Sequence, residues 1–264
     1  MNNSYSSLYP EVGYNFPDDS FSTIPYEKGF QLLWYMQSLI GDELMQTMLQ
    51  QYILENSQTS ITYYIFKAKF ESTVDANFNE TMAAEIKGKM DWDAWVHQPG
   101  LAPVWQDFTT PALNESSALA DQYIALAGQG SPQNYTDYNS WYSSLRQVFL
   151  QRFNSRLNDT TITILEKVDA DLNVTNTLDP ELKAIWYPMG IKLGWEHVMT
   201  PAYNFISSMG RMKYLSPIYG ALLAAGKHEI AVQWFEDNID FYHPYVVAKL
   251  KKMLGVSHVT KNVS

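Results

Sequence analysis

Apolar residues recur at three- and four-residue spacing from Tyr26 to Leu254, and Gly or Pro interrupts them at intervals of about one helix length. That periodicity puts each apolar set on one stripe of an α-helix, and no alternating pattern of convincing length competes with it. The chain therefore predicts an all-α fold. Residues 1–22 are polar and loop-like, and Pro25 suits the first turn of a helix, with Thr23 ahead of it as a cap. Phe30, Leu33 and Trp34 follow on that helix, and Gly41 ends it. Asp42 is the expected cap of a second helix, Ser60 opens a third, and a fourth runs from about Asn79 to Lys89.

Pro99-Gly100 and Pro103 cannot continue a helix and mark a boundary between two packed units. Beyond them, helical stretches are predicted over roughly 114–128, 137–153, 160–170, 179–193, 195–208, 215–226, 228–241 and 244–254. Short antiparallel helices, each with one apolar stripe, predict a stacked helical solenoid.

Composition narrows the functional classes. The 46% apolar share excludes a disordered chain, and no apolar run is long enough to span a membrane. A formal charge of −10 argues against nucleic acid and anionic membrane as partners. The absence of cysteine removes disulfides and thiolate metal sites. The N-terminus has neither a positive residue before Lys28 nor an apolar core stretch, so it does not resemble a signal or transit peptide. An intracellular, cytoplasmic protein is the expectation. Only 17% of residues are charged while 14% are aromatic, a balance found in buried interface cores or produced by a genome-wide bias.

No catalytic constellation is complete. His228-Glu229-Ile230-Ala231-Val232 begins like a helical zinc site, but Val232 stands where the second histidine belongs. Gly128-Gln129-Gly130 precedes Ser-Pro rather than a strand–helix junction, and there is no Gly-x-Ser-x-Gly elbow. Two fragments remain open. Tyr26, in Ile24-Pro25-Tyr26-Glu27-Lys28-Gly29, reads either as a surface helix residue or as a phenol that stabilises an oxyanion. Arg211 and Lys213 read either as charges complementing a helix C-terminus or as a carboxylate clamp.

Taken in order, these fragments resemble one family, the zinc aminopeptidases of the leukotriene A4 hydrolase type. The likeness begins at Pro17-Asp18-Asp19-Ser20-Phe21-Ser22-Thr23-Ile24-Pro25-Tyr26-Glu27-Lys28-Gly29-Phe30. It passes through Met90-Asp91-Trp92-Asp93-Ala94-Trp95 and Pro99-Gly100-Leu101-Ala102-Pro103, and closes with Met209-Gly210-Arg211-Met212-Lys213-Tyr214 and Tyr242-His243-Pro244. The resemblance implies that residues 1–98 are the C-terminal helical part of a thermolysin-like domain and 99–106 a Pro-rich linker. It further implies that 107–258 are the family's armadillo-like α-α superhelical domain, with 259–264 a tail.

The resemblance also implies roles. Tyr26 matches the tyrosine that stabilises the tetrahedral intermediate, and Asp18 the acid that positions water in epoxide-hydrolysing members. Arg211 and Lys213 match the pair that binds the substrate's terminal carboxylate. Phe21 departs from the tyrosine of vertebrate members, which puts a vertebrate-like epoxide hydrolase activity in doubt. The family's His-Glu-x-x-His helix and its Gly-x-Met-Glu-Asn segment are both missing from the sequence. No cofactor is therefore expected in this chain, and zinc only if a partner chain supplies its ligands.

Three expectations follow: a non-catalytic helical scaffold or assembly subunit, one half of a split zinc aminopeptidase, or a fragment of a longer enzyme. Phe30, Trp34, Tyr35, Met36, Leu44 and Met48 recur on more than one helical face. A protein partner is thus expected over the helices at 25–54, be it a zinc-lobe chain, a second copy or an assembly subunit.

Overall fold

The computed structural model describes residues 3–14, 20 and 22–256. It is 71% helical, and no strand occurs among the described residues. The chain divides into two compact units, Met1–Phe108 and Thr109–Ser264.

In the first unit, α1 (Ile24–Ile40) and α2 (Asp42–Glu55) are followed by α3 (Tyr63–Asn77), α4 (Glu80–Lys89) and the short α5 (Trp92–Val96). A single residue, Gly41, joins α1 to α2 at φ +84°, ψ 159°, a backbone state that a side chain would strain. Such a short joint leaves no room for the expected cap. Asp42 is already the first residue of α2, and its carboxylate accepts from Gln37 Nε2 at 2.9 Å. Thr23 likewise makes no side-chain cap bond. The third helix starts at Tyr63 rather than near Ser60. Asn79, in contrast, caps α4 by accepting from Met82 N.

The core of this unit centres on Met36, Met48, Phe70, Val74 and Trp95, all fully buried. The N-terminal segment is fastened to the stretch after α5. Tyr9 N donates to Val96 O at 3.0 Å and Gly100 N to Ser6 Oγ at 2.7 Å. Lys28 is only 3% exposed and donates from Nζ to Gln98 O at 2.7 Å; burial lowers its pKa. Residues 99–106 belong to the same packing, with Ala102 and Val104 against the core and Gln106 Nε2 donating to Gln31 O.

The second unit contains α6 (Pro111–Leu126), α7 (Ser143–Ser155), α8 (Ile162–Leu172), α9 (Pro180–Lys192), α10 (Met199–Ser208), α11 (Met212–Ala224), α12 (His228–Asn238) and α13 (Pro244–Leu254). α7 packs on α9, α9 on α11 and α11 on α13, with α10 against α9 and α11, and α12 against α11 and α13. This is the expected stacking of helix pairs. α9 is its axis: Trp186, Tyr187, Pro188, Met189, Gly190 and Ile191 are consecutive and all buried, so no face of this turn meets water. Its polar atoms are satisfied inside, Trp186 Nε1 donating to Thr175 Oγ1 and Tyr187 OH to Thr175 O. The helix expected over 215–226 begins three residues earlier, at Met212, which changes the setting of Arg211 and Lys213.

Candidate functional site

Tyr26 lies in the first turn of α1 and is 69% exposed. Four and eight residues on, Phe30 and Trp34 stand on the same face, both about half exposed. Phe30 meets Trp34 with ring centroids 5.8 Å apart, and Phe108 closes the group at 5.4 Å from Phe30 and 6.0 Å from Trp34. Met36 and Met48, expected in the same apolar set, are instead core residues. Asp18 and Phe21 lie outside the described residues.

Arg211 is the N-cap of α11 and Lys213 stands in its first turn. Two cations there oppose the helix dipole, so complementing a C-terminus is only part of their setting. Lys213 is compensated by Glu181 in the first turn of α9. Lys213 Nζ reaches Glu181 Oε1 at 2.7 Å, and Tyr214 OH donates to the same oxygen at 2.9 Å. The Lys213 hydrogen bond holds the Glu181 carboxyl below its ordinary pKa, and the Glu181 bond in turn raises the Tyr214 phenol. The Arg211 guanidinium lies 5.6 Å from the Tyr214 ring centroid and Lys213 Nζ is equally close. Among the described residues no carboxylate forms an ion pair with Arg211. Sequence reasoning missed Glu181. An acid in the first turn of a Pro-initiated helix reads as dipole complementation, and nothing local reveals a partner 32 residues away.

The described residues do not fit a catalytic zinc. His228 Nε2 donates to Leu254 O at 2.9 Å, with Val232 one turn on. His97 meets Tyr63 OH at 3.0 Å, His197 lies 3.7 Å from Asp169, and His243 Nδ1 accepts from Tyr245 N as the cap of α13. No group of three or more potential ligands occurs among the described residues.

Comparison with known proteins places this arrangement. Residues 141–254 match the family described as Leukotriene A4 hydrolase, C-terminal, and residues 9–85 match the Peptidase family M1 domain. The likeness is to the C-terminal half of the leukotriene A4 hydrolase-type aminopeptidases. A leucine aminopeptidase 2 of Ajellomyces capsulatus is 30% identical over 90% of this chain and 37% of its own length. A leukotriene A-4 hydrolase homolog of Botryotinia fuckeliana is also 30% identical, over 90% of this chain and 36% of its own. The fold likeness extends to a solved structure of native yeast leukotriene A4 hydrolase, with TM-score 0.80 at 23% identity, covering 96% of this chain and 42% of that one. The chain thus spans well under half the length of the relatives it matches. Among the described residues no helix is long and apolar enough to cross a membrane.

Proposed function

We propose that this chain is a helical assembly subunit built on the C-terminal half of a leukotriene A4 hydrolase-type aminopeptidase, non-catalytic by itself, and that a protein partner covers its helices at 25–54. The observation that carries this reading is the exposed row Tyr26, Phe30 and Trp34 on α1, with Leu33 beside it and Phe108 against it. Ile53 and Leu54 add exposed apolar surface at the end of α2. Contiguous aromatic surface of this kind is the usual core of a protein interface. Covering it is worth about 25 cal/mol per Å², so even a few hundred Å² contributes several kcal/mol. The intracellular, cytoplasmic setting belongs to the same proposal.

The test is sedimentation velocity on the full chain at micromolar concentration, alone and mixed with the zinc-bearing N-terminal lobe of a leucine aminopeptidase 2 relative. A complex, or a self-associated species, weakened by Phe30→Ser with Trp34→Ser is the expected result. A monodisperse monomer that ignores the lobe overturns the proposal.

A second reading, one half of a split zinc aminopeptidase, is favoured by Arg211, which forms no ion pair among the described residues, and by the exposed Tyr26 phenol. In that reading Tyr26 donates to the developing oxyanion, and Arg211 with Lys213 grips the peptide's terminal carboxylate. Lys213 must then exchange Glu181 for the substrate. Hydrolysis of a chromogenic amino-acid amide by the complex separates the two readings. Activity that falls about 100-fold in Tyr26→Phe supports the split enzyme. A complex without activity supports the scaffold.

A further inference from the structure

Away from the residues treated so far, α10 and α12 border an open groove of about 470 Å³. Tyr203 and Trp234 line it with ring centroids 5.4 Å apart and planes 60° to one another, forming an aromatic corner. Met199 and Ile230 add apolar surface, and Asp237 and Glu196 bring two carboxylates to the same lining. The corner is held in place, because Tyr203 OH donates to Asp237 Oδ2 at 3.3 Å and Gln233 Nε2 donates to Asp237 Oδ1 at 2.8 Å.

Three features of this groove point to one kind of ligand. Carboxylates beside π-faces give a negative potential that repels anions and draws cations. Elsewhere in the chain a Lys or Arg lies over the rings of Trp92, Tyr138, Phe205, Tyr214 and Tyr245, whereas none lies over Tyr203 or Trp234 among the described residues. Lys227, the cation bound to the Glu196 side of the lining, is tied to that carboxylate at 2.7 Å. Finally, each Asp237 oxygen already holds one of the bonds that fix the corner, so a ligand rich in N–H donors would have to share those acceptors with Tyr203 and Gln233. A quaternary ammonium has no N–H to satisfy and spreads its charge over methyl groups that suit apolar and aromatic surface.

We propose that the Tyr203–Trp234 groove binds a free, small quaternary ammonium molecule of the choline type. The occupant carries its charge against the two rings, with Asp237 as its long-range counter-charge, Glu196 being neutralised by Lys227. This does not rest on the aminopeptidase likeness, since none of its residues belongs to the Tyr26 or Arg211–Lys213 sets.

The experiment is titration of the full chain, followed by ligand-observed NMR, with choline and with its neutral isostere 3,3-dimethylbutan-1-ol. Saturable choline binding about fivefold tighter than the isostere is expected, the cation–π contribution being what separates them. Trp234→Leu, folded by circular dichroism, should remove that preference. Asp237→Asn should weaken choline about threefold and leave the isostere unchanged, and as an exposed substitution it carries the test if Trp234→Leu fails to fold. Equal affinity for choline and isostere overturns the proposal, leaving a merely apolar groove. So does the absence of saturable binding, choline affinity that neither variant changes, or a trimethyl-lysine peptide that binds while choline does not.

Discussion

Asp121 joins two arginines that lie one helical turn apart on α7 and just beyond it. Arg152 grips both carboxylate oxygens at 2.9 Å, and Arg156 Nη1 adds a third bond at 2.8 Å while its Nη2 holds Asp159. The Arg152 hydrogen bonds hold the Asp121 carboxyl below its ordinary range. A folded-state pKa below the unfolded one means stability that is present above the unfolded value, near 4, and lost as pH falls through the folded value. Asp121→Asn is therefore expected to cost about 1 kcal/mol at pH 7, a modest figure because the cluster is partly solvated. Urea melts at neutral and strongly acid pH check it: the difference between wild type and variant should close at acid pH. An undiminished difference there means that packing, not charge, is responsible. The same scale explains what the sequence could not disclose. Tyr26, Arg211 and Lys213 were visible as chemistry in short strings, but Glu181, which occupies Lys213, comes from another helix. Lys28 sits in the string that carries Tyr26, yet its burial depends on a carbonyl 70 residues away. Local spacing carries no signal for either pairing.

At the scale of elements, the punctuation was most legible where a Pro and a capping side chain coincide. The stretch read as 244–254 is α13, Pro244–Leu254, with His243 as its cap and Gly255 in the left-handed region at its end. Boundaries shifted where two helices nearly abut. Gly41 alone separates α1 from α2, and three residues separate α10 from α11, so each break is narrower than the sequence pattern predicts. The axial position of α9 is not legible either, because its turn 186–191 is buried on every side and has no stripe to read. Its consequence is testable at Gly190. A Cβ there meets Val198 Cγ2 at 2.7 Å, and valine is too short and stiff to move aside cheaply. Gly190→Ala should destabilise by about 1–3 kcal/mol through overpacking. Gly88 in α4 is the counter-case, with nothing within 4 Å of an added Cβ. Gly88→Ala should stabilise by about 0.5 kcal/mol, as backbone entropy alone dictates. Thermal melts of the two variants moving in the same direction would contradict the packing assigned to α9.

For the whole molecule, the decisive feature is that the two units keep separate cores. Among the described residues the second unit buries 35 apolar side chains in one cluster, from Leu119 to Leu254, against 12 in the first, from Leu32 to Val96. The smaller core belongs to the unit that also exposes Tyr26, Phe30 and Trp34. Less apolar burial against a comparable chain-entropy cost per residue makes that unit the weaker one. Calorimetry of the isolated full chain is accordingly expected to resolve two transitions, the first unit melting lower. Met48→Ala removes a fully buried side chain of the first core and should lower only the early transition, by an amount equivalent to about 2–5 kcal/mol. Phe149→Ala does the same in the second core and should lower only the late one. A partner seated on α1 binds the folded first unit alone, so mass action should raise the early transition with partner concentration and leave the late one in place. If both variants displace one common transition, the units fold as a single cooperative body and the argument for a weak, partner-dependent first unit is lost.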